Sequence, residues 1–125
     1  RWPGQIDPGT VSDEPLISLD LFTMAVEIAE AKLPRNGTID GKNPIPTLTE
    51  RAPSPHDYLF WQYRGMSAVR GERFKLMKPS EDEPFRLYDL AYDVSESKDV
   101  SDEYPEVVNR LEREFSEWLE TSTAD

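Results

Sequence analysis

The chain has no cysteine. That excludes disulfides, thiolate metal sites and a cysteine nucleophile, and it leaves the redox compartment open. Histidine is down to one residue, His56, so no Cys/His metal cluster can be assembled. No apolar run approaches the roughly 20 residues that cross a bilayer as a helix. Basic residues are also scarce: 14 Lys and Arg face 25 Asp and Glu, for a net charge of −11. A field of that sign repels nucleic acid and anionic lipid, so neither is an expected partner. It repels a sulfated or phosphorylated substrate too, unless local basic residues overrule it.

What remains is one domain's worth of chain. Its 125 residues, 37% hydrophobic and 10% aromatic, are enough to bury a core. Pro3, Gly4, Pro8, Gly9 and Pro15 keep the first fifteen residues out of any helix. From Ser18 the pattern changes. Leu21, Phe22, Ala25, Val26, Ile28 and Ala29 recur at three- and four-residue steps, which predicts a helix over about 18–30 with a broad apolar face. Ser18 is the expected N-cap, Asp20 suits the first turn, and Pro34 closes the segment. Residues 34–57 carry five prolines and the pair Asn36-Gly37, and read as a long irregular connection. A connection of that length belongs on some larger body.

Four short β-like runs follow: Tyr58–Tyr63, Ser67–Arg70, Arg73–Lys78 and Phe85–Leu90. Gly71-Glu72 is read as the type II′ turn between the second and third. From Pro105 to about Leu119, Val107, Val108, Leu111, Phe115, Trp118 and Leu119 share one helical face, with Pro105 at home in the first turn. The expected fold class is therefore α+β: a four-stranded antiparallel sheet with a C-terminal helix on one face, Thr121–Asp125 fraying beyond it.

Residues able to do chemistry are few. His56 lies between Pro55 and Asp57, and Asp57 could orient its ring; no nucleophile motif accompanies it, so it reads as an exposed loop histidine. Asp89, Asp93, Glu96, Asp99, Asp102 and Glu103 lack the spacing of a calcium loop and read as a solvated acidic connection. Trp61, Tyr63, Phe74 and Tyr88 could make a sugar platform; for Phe74 core packing is the better reading, while Trp61 and Tyr63 stay open to either. Arg64, Arg70, Arg73 and Lys75 offer local positive charge, and pairing with the abundant carboxylates is the reading preferred for them. Asn36-Gly37-Thr38 matches a glycosylation sequon.

Resemblance adds what spacing cannot. Arg1-Trp2-Pro3-Gly4-Gln5-Ile6 with Pro8-Gly9-Thr10-Val11-Ser12-Asp13-Glu14 resembles a segment of the formylglycine-dependent sulfatases (the arylsulfatase and N-acetylgalactosamine-sulfatase group). Ser18-Leu19-Asp20-Leu21, Ile39-Asp40-Gly41 with Pro46, Leu59-Phe60-Trp61, Ala68-Val69-Arg70 and Phe74-Lys75-Leu76 resemble that family's later words, in the family's order. Leu87-Tyr88-Asp89-Leu90 with Asp93, Glu96, Pro105-Glu106 and Trp118 resembles its end. Thr23-Met24, Phe74 and Val94 depart from the family's usual Pro-Thr, Trp and Pro, which touches packing and turns.

The resemblance implies that residues 1–57 are a C-terminal remnant of an α/β, alkaline-phosphatase-like catalytic domain and that 58–125 are the sulfatase C-terminal subdomain. It implies a longer parent that hydrolyses sulfate esters, those of sulfated glycans among them, with formylglycine and calcium held upstream by a Cys-x-Pro-Ser-Arg motif and its partners. A secreted or periplasmic parent is implied by the family alone. The segment itself is expected to hold no cofactor, to be inactive alone, and to have the upstream catalytic domain as its partner. Trp61, Tyr63 and Arg64 are the expected substrate contacts. The alternative is a stand-alone acidic module that binds carbohydrate or another protein through the same residues, or a fragment complemented by a separate catalytic chain.

Overall fold

A computed structural model describes residues 2–33 and 39–122. Pro34, the Asn36-Gly37-Thr38 sequon and the last residues of the expected frayed end lie outside them. The chain divides into two compact units, Arg1–Asp57 and Tyr58–Asp125.

In the first unit, α1 spans Asp20–Ile28 and α2 spans Ile45–Glu50. Ser18 does not cap α1. Leu19 holds the cap position with no side-chain bond, and the carboxylate of Asp20 instead accepts the Ile17 amide at 2.9 Å. The helix is turned opposite to its apolar stripe. Asp20 and Thr23 are buried, whereas Leu21, Phe22, Ala25, Ile28 and Ala29 are exposed. The second helix replaces part of the connection expected to be irregular: Pro46 falls in its first turn, where a missing amide costs no hydrogen bond. Arg51, left-handed at φ 58°, ends it.

The second unit is the expected sheet and helix. Strands β1 (Leu59–Tyr63), β2 (Met66–Arg70), β3 (Phe74–Lys78) and β4 (Arg86–Asp89) form an antiparallel sheet in the order β1-β2-β3-β4. Helix α3 spans Pro105–Ser122. Successive side chains alternate between faces, so Phe60, Val69, Leu76 and Leu87 come into one layer. Val107, Leu111 and Phe115 of α3 complete that layer with Val100, and Trp118 stacks on Phe60 at 5.2 Å. The opposite face presents Trp61 and Tyr63 from β1, Ala68 and Arg70 from β2, Lys75 and Met77 from β3, and Arg86 and Tyr88 from β4.

The β2–β3 turn differs from expectation. Arg70 pairs with Lys75, and the Gly71 amide bonds the Phe74 carbonyl at 2.9 Å, so Glu72-Arg73 are the central residues. Gly71 has no positive φ. A Cβ there would meet the Tyr58 ring at 3.4 Å, an ordinary contact, so neither a II′ turn nor crowding requires this glycine. The left-handed turn lies one hairpin earlier. Arg64 (φ 48°) and Gly65 (φ 82°) join Tyr63 to Met66, the two-residue geometry that suits strand twist. Among the described residues no helix is long and apolar enough to cross a membrane.

Candidate functional site

The exposed end of the sheet lies at the β1–β2 hairpin. Trp61 is 40% exposed and Tyr63 60%, on the same face of β1 and two residues apart. Strand geometry puts about 6.6 Å between such positions. The left-handed turn then brings the Arg64 guanidinium over the Tyr63 ring, 5.2 Å from its centre. No carboxylate pairs with Arg64 among the described residues. Two exposed rings and an uncompensated guanidinium can stack a sugar and attract an anionic substituent.

The other aromatics do not join them. Phe74 lies on the α3 face and packs with Tyr104 at 5.2 Å, as core packing required. Tyr88 is buried. Of the remaining cations, Lys75 bonds both oxygens of Glu96 at 2.7 and 2.8 Å. Arg73 grips Asp89 through Nε at 3.0 and 3.1 Å and through Nη2, and also lies over Phe74 at 4.7 Å. That pairing holds the Asp89 carboxyl below its ordinary range, against the opposing effect of burial.

The acidic connection after β4 is built, not merely solvated. Asp93 accepts from the Ser95 hydroxyl (2.7 Å), the Ser97 amide (2.7 Å) and hydroxyl, and the Lys98 amide (2.8 Å). The Ser95 hydroxyl is the largest reason its pKa falls to about 2. Asp99 accepts from Ser101 and from the Leu87 amide at 3.1 Å, tying the segment back to β4. No group of three His, Cys, Asp or Glu side chains among the described residues could hold a metal ion.

His56 is not the exposed loop residue the sequence suggested. Its side chain is 6% exposed, and Nε2 stands 2.8 Å from Oδ1 of Asp20. Asp57, its neighbour, does not orient it. Asp20 also accepts the Ile17 and Lys42 amides, each at 2.9 Å. Burial raises the pKa of Asp20, but these hydrogen bonds outweigh it and the net shift is downward. A carboxylate donates nothing, so Nε2 carries the shared proton. The Ser54 hydroxyl, which accepts the His56 amide at 3.1 Å, donates to the Pro15 carbonyl and not to the ring, and the Asp20–His56 pair clasps the start of α1 to this stretch.

The N-sulphoglucosamine sulphohydrolase, C-terminal family model matches residues 1–121. The chain belongs to this family. A sulfatase of Formosa agariphila is 28% identical over 142 residues, covering 95% of this chain and 26% of that protein. The steryl-sulfatase of Rattus norvegicus is 39% identical over 61 residues, 48% of this chain and 11% of that one. The crystal structure of Ps i-CgsB superposes with a TM-score of 0.80 at 28% identity, over 94% of this chain and 27% of that one. A protein solved with its substrate D-glucosamine-2-N,6-O-disulfate shares the fold, at a TM-score of 0.78 and 20% identity. This sulfatase segment thus spans about a quarter of the length of the longer relatives it matches.

Sulfatases as a family depend on calcium and formylglycine. The residues present do not fit either group: there is no cysteine, no Cys-x-Pro-Ser-Arg motif and no metal-ligating cluster among the described residues.

Proposed function

We propose that this segment completes a sulfatase whose remaining part carries the calcium and formylglycine chemistry, and that the whole protein hydrolyses sulfate esters of glycans. In this reading residues 1–57 belong to the edge of the α/β catalytic domain and residues 58–125 are its C-terminal subdomain. The outward apolar face of α1 supports the first assignment. Leu21, Phe22 and Ile28 are each at least half exposed, and a stripe of that kind needs a covering layer.

The hairpin end of the sheet carries the substrate assignment. Trp61 and Tyr63 present apolar rings to a sugar, and Arg64 supplies the local positive charge that a sulfated ligand needs against a net charge of −11. Relatives of the fold solved with k-i-k-neocarrahexaose and with a disulfated glucosamine support a glycan as substrate class.

The test uses the longer protein. Trp61→Ala and Arg64→Ala should each lower kcat/KM on a sulfated oligosaccharide about tenfold, equivalent to ~1.4 kcal/mol. Turnover of a small aryl sulfate, which has no sugar ring for Trp61 and Tyr63 to stack, should stay within about twofold. Equal losses on both substrates would remove these residues from the substrate site. An inactive wild-type protein would remove the sulfatase activity itself.

A further inference from the structure

Arg70 sits where a cation has no evident reason to be. On the sheet face away from α3 its cross-strand neighbours are Leu59 on β1 and Lys75 on β3. Like charges directly opposite each other destabilise a sheet. Lys75 has its own answer in Glu96. Arg70 has none: its Nε is buried, and no acceptor among the described residues reaches it. In a chain with 25 carboxylates, Arg73 and Arg86 both find one, in Asp89 and Glu83.

A guanidinium binds a carboxylate best through a fork of two parallel N–H groups. An Nε shut off from water and left without an acceptor costs free energy, so it implies an acceptor that arrives from elsewhere. The surroundings say what kind. Leu59 and Tyr88, which flank Arg70 and Lys75 in the same row, are buried, whereas the exposed rings lie at the hairpin end of the face. A site for an exchanging ligand would be open; here Arg70 and Lys75 are half-buried between buried neighbours, which suits a protein side chain.

We infer that Arg70 is a docking socket for an Asp or Glu side chain of the catalytic part of the longer protein. This rests on the reading of the chain as a sulfatase segment. The socket would fix how the sheet seats on that part, so Arg70 is a positioning residue with no contact to substrate.

The sign of one substitution tests it. Without an acidic partner, Arg70→Met relieves the repulsion with Lys75 and removes an orphaned donor, so the thermal midpoint should hold or rise. With a partner it strands a buried carboxylate, and the midpoint of the longer protein should fall by about 4 °C or more. Arg70→Lys, which keeps the charge and loses the fork, should fall less. Arg70→Glu combined in turn with Asp or Glu→Arg changes in the catalytic part should restore the midpoint at one position. An unchanged or raised midpoint in Arg70→Met overturns the socket, as does a loss that no charge swap repairs. Protection of wild type, but not Arg70→Met, by added inorganic sulfate would assign the socket to an oxyanion ligand and overturn it too. Aryl sulfate turnover by the wild type reports separately on the sulfatase reading.

Discussion

Asp20 and His56 are 36 positions apart in sequence and 2.8 Å apart in space. Through the same carboxylate, Asp20 also holds the Ile17 and Lys42 amides, so one buried side chain gathers three stretches of the first unit. Thr23 reinforces it with a 2.6 Å bond to the Lys42 carbonyl. No Leu, Ile, Val, Met, Phe or Trp described within residues 2–57 is buried. The first unit is therefore organised around polar contacts, and these apolar side chains are half-buried or exposed.

Removing that carboxylate should be costly. Asp20→Ala leaves two amides and an imidazole donor without their acceptor, and the loss should be about 3 kcal/mol. Hydrogen exchange over residues 17–56 would show it, with core amides of the sheet unchanged. Because the pKa of Asp20 is lowered on folding, its contribution is fully present above the unfolded carboxylate pKa and disappears as pH falls through the folded one. Exchange at Lys42 should accordingly rise in acid.

Gly41 packs against the entry to α1. A Cβ on it would lie 2.3 Å from the Leu19 carbonyl oxygen, a backbone atom that cannot step aside. Gly41→Ala should destabilise the first unit by about 2 kcal/mol, read as earlier protease cleavage within residues 17–56. Gly4→Ala, where a Cβ meets nothing within 4 Å, bears only the strain of its positive φ and should cost about 1 kcal/mol.

Asp93 offers a direct titration. Its pKa of about 2, against an ordinary 3.8, means the loop's contribution is complete above the ordinary value and is lost as pH drops through about 2. An NMR titration should show the Asp93 carboxyl carbon moving near pH 2, with the Ser97 and Lys98 amides following it. Titration at the ordinary value would show that these hydrogen bonds do not persist in solution.

Leu111 is 1% exposed at the centre of the α3 contact with the sheet. Leu111→Ala should cost about 3 kcal/mol, the sum of lost burial and a cavity that close packing cannot refill. Denaturant unfolding would measure it. Glu114→Ala, on the same helix and outside that contact cluster, should stay within about 0.5 kcal/mol.

The sheet and α3 were legible in the sequence because each signal there is local and agrees with its neighbours. Strand alternation sorted Phe74 and Leu76 from Lys75 and Met77, and α3's apolar stripe became its buried face. The order of family words from Arg1 to Trp118 likewise lay in the sequence, and it carried the kinship with sulfatases. Periodicity found α1 and its apolar face but not that Asp20 and Thr23 are the residues it buries, because the groups that draw them inward include a backbone carbonyl, an amide and a histidine far along the chain. His56 looked exposed because the carboxylate its ring meets, Asp20, is 36 positions away in sequence. The β2–β3 turn slipped by one residue because Gly71 stays in the ladder, its amide bonded to the Phe74 carbonyl, and Glu72-Arg73 make the turn. Local propensity thus determined where helices and strands form, while the tertiary structure alone decided which carboxylate each donor meets. Hydrogen bonds and ion pairs act over about 3 Å, and only folding sets distances on that scale between residues tens of positions apart.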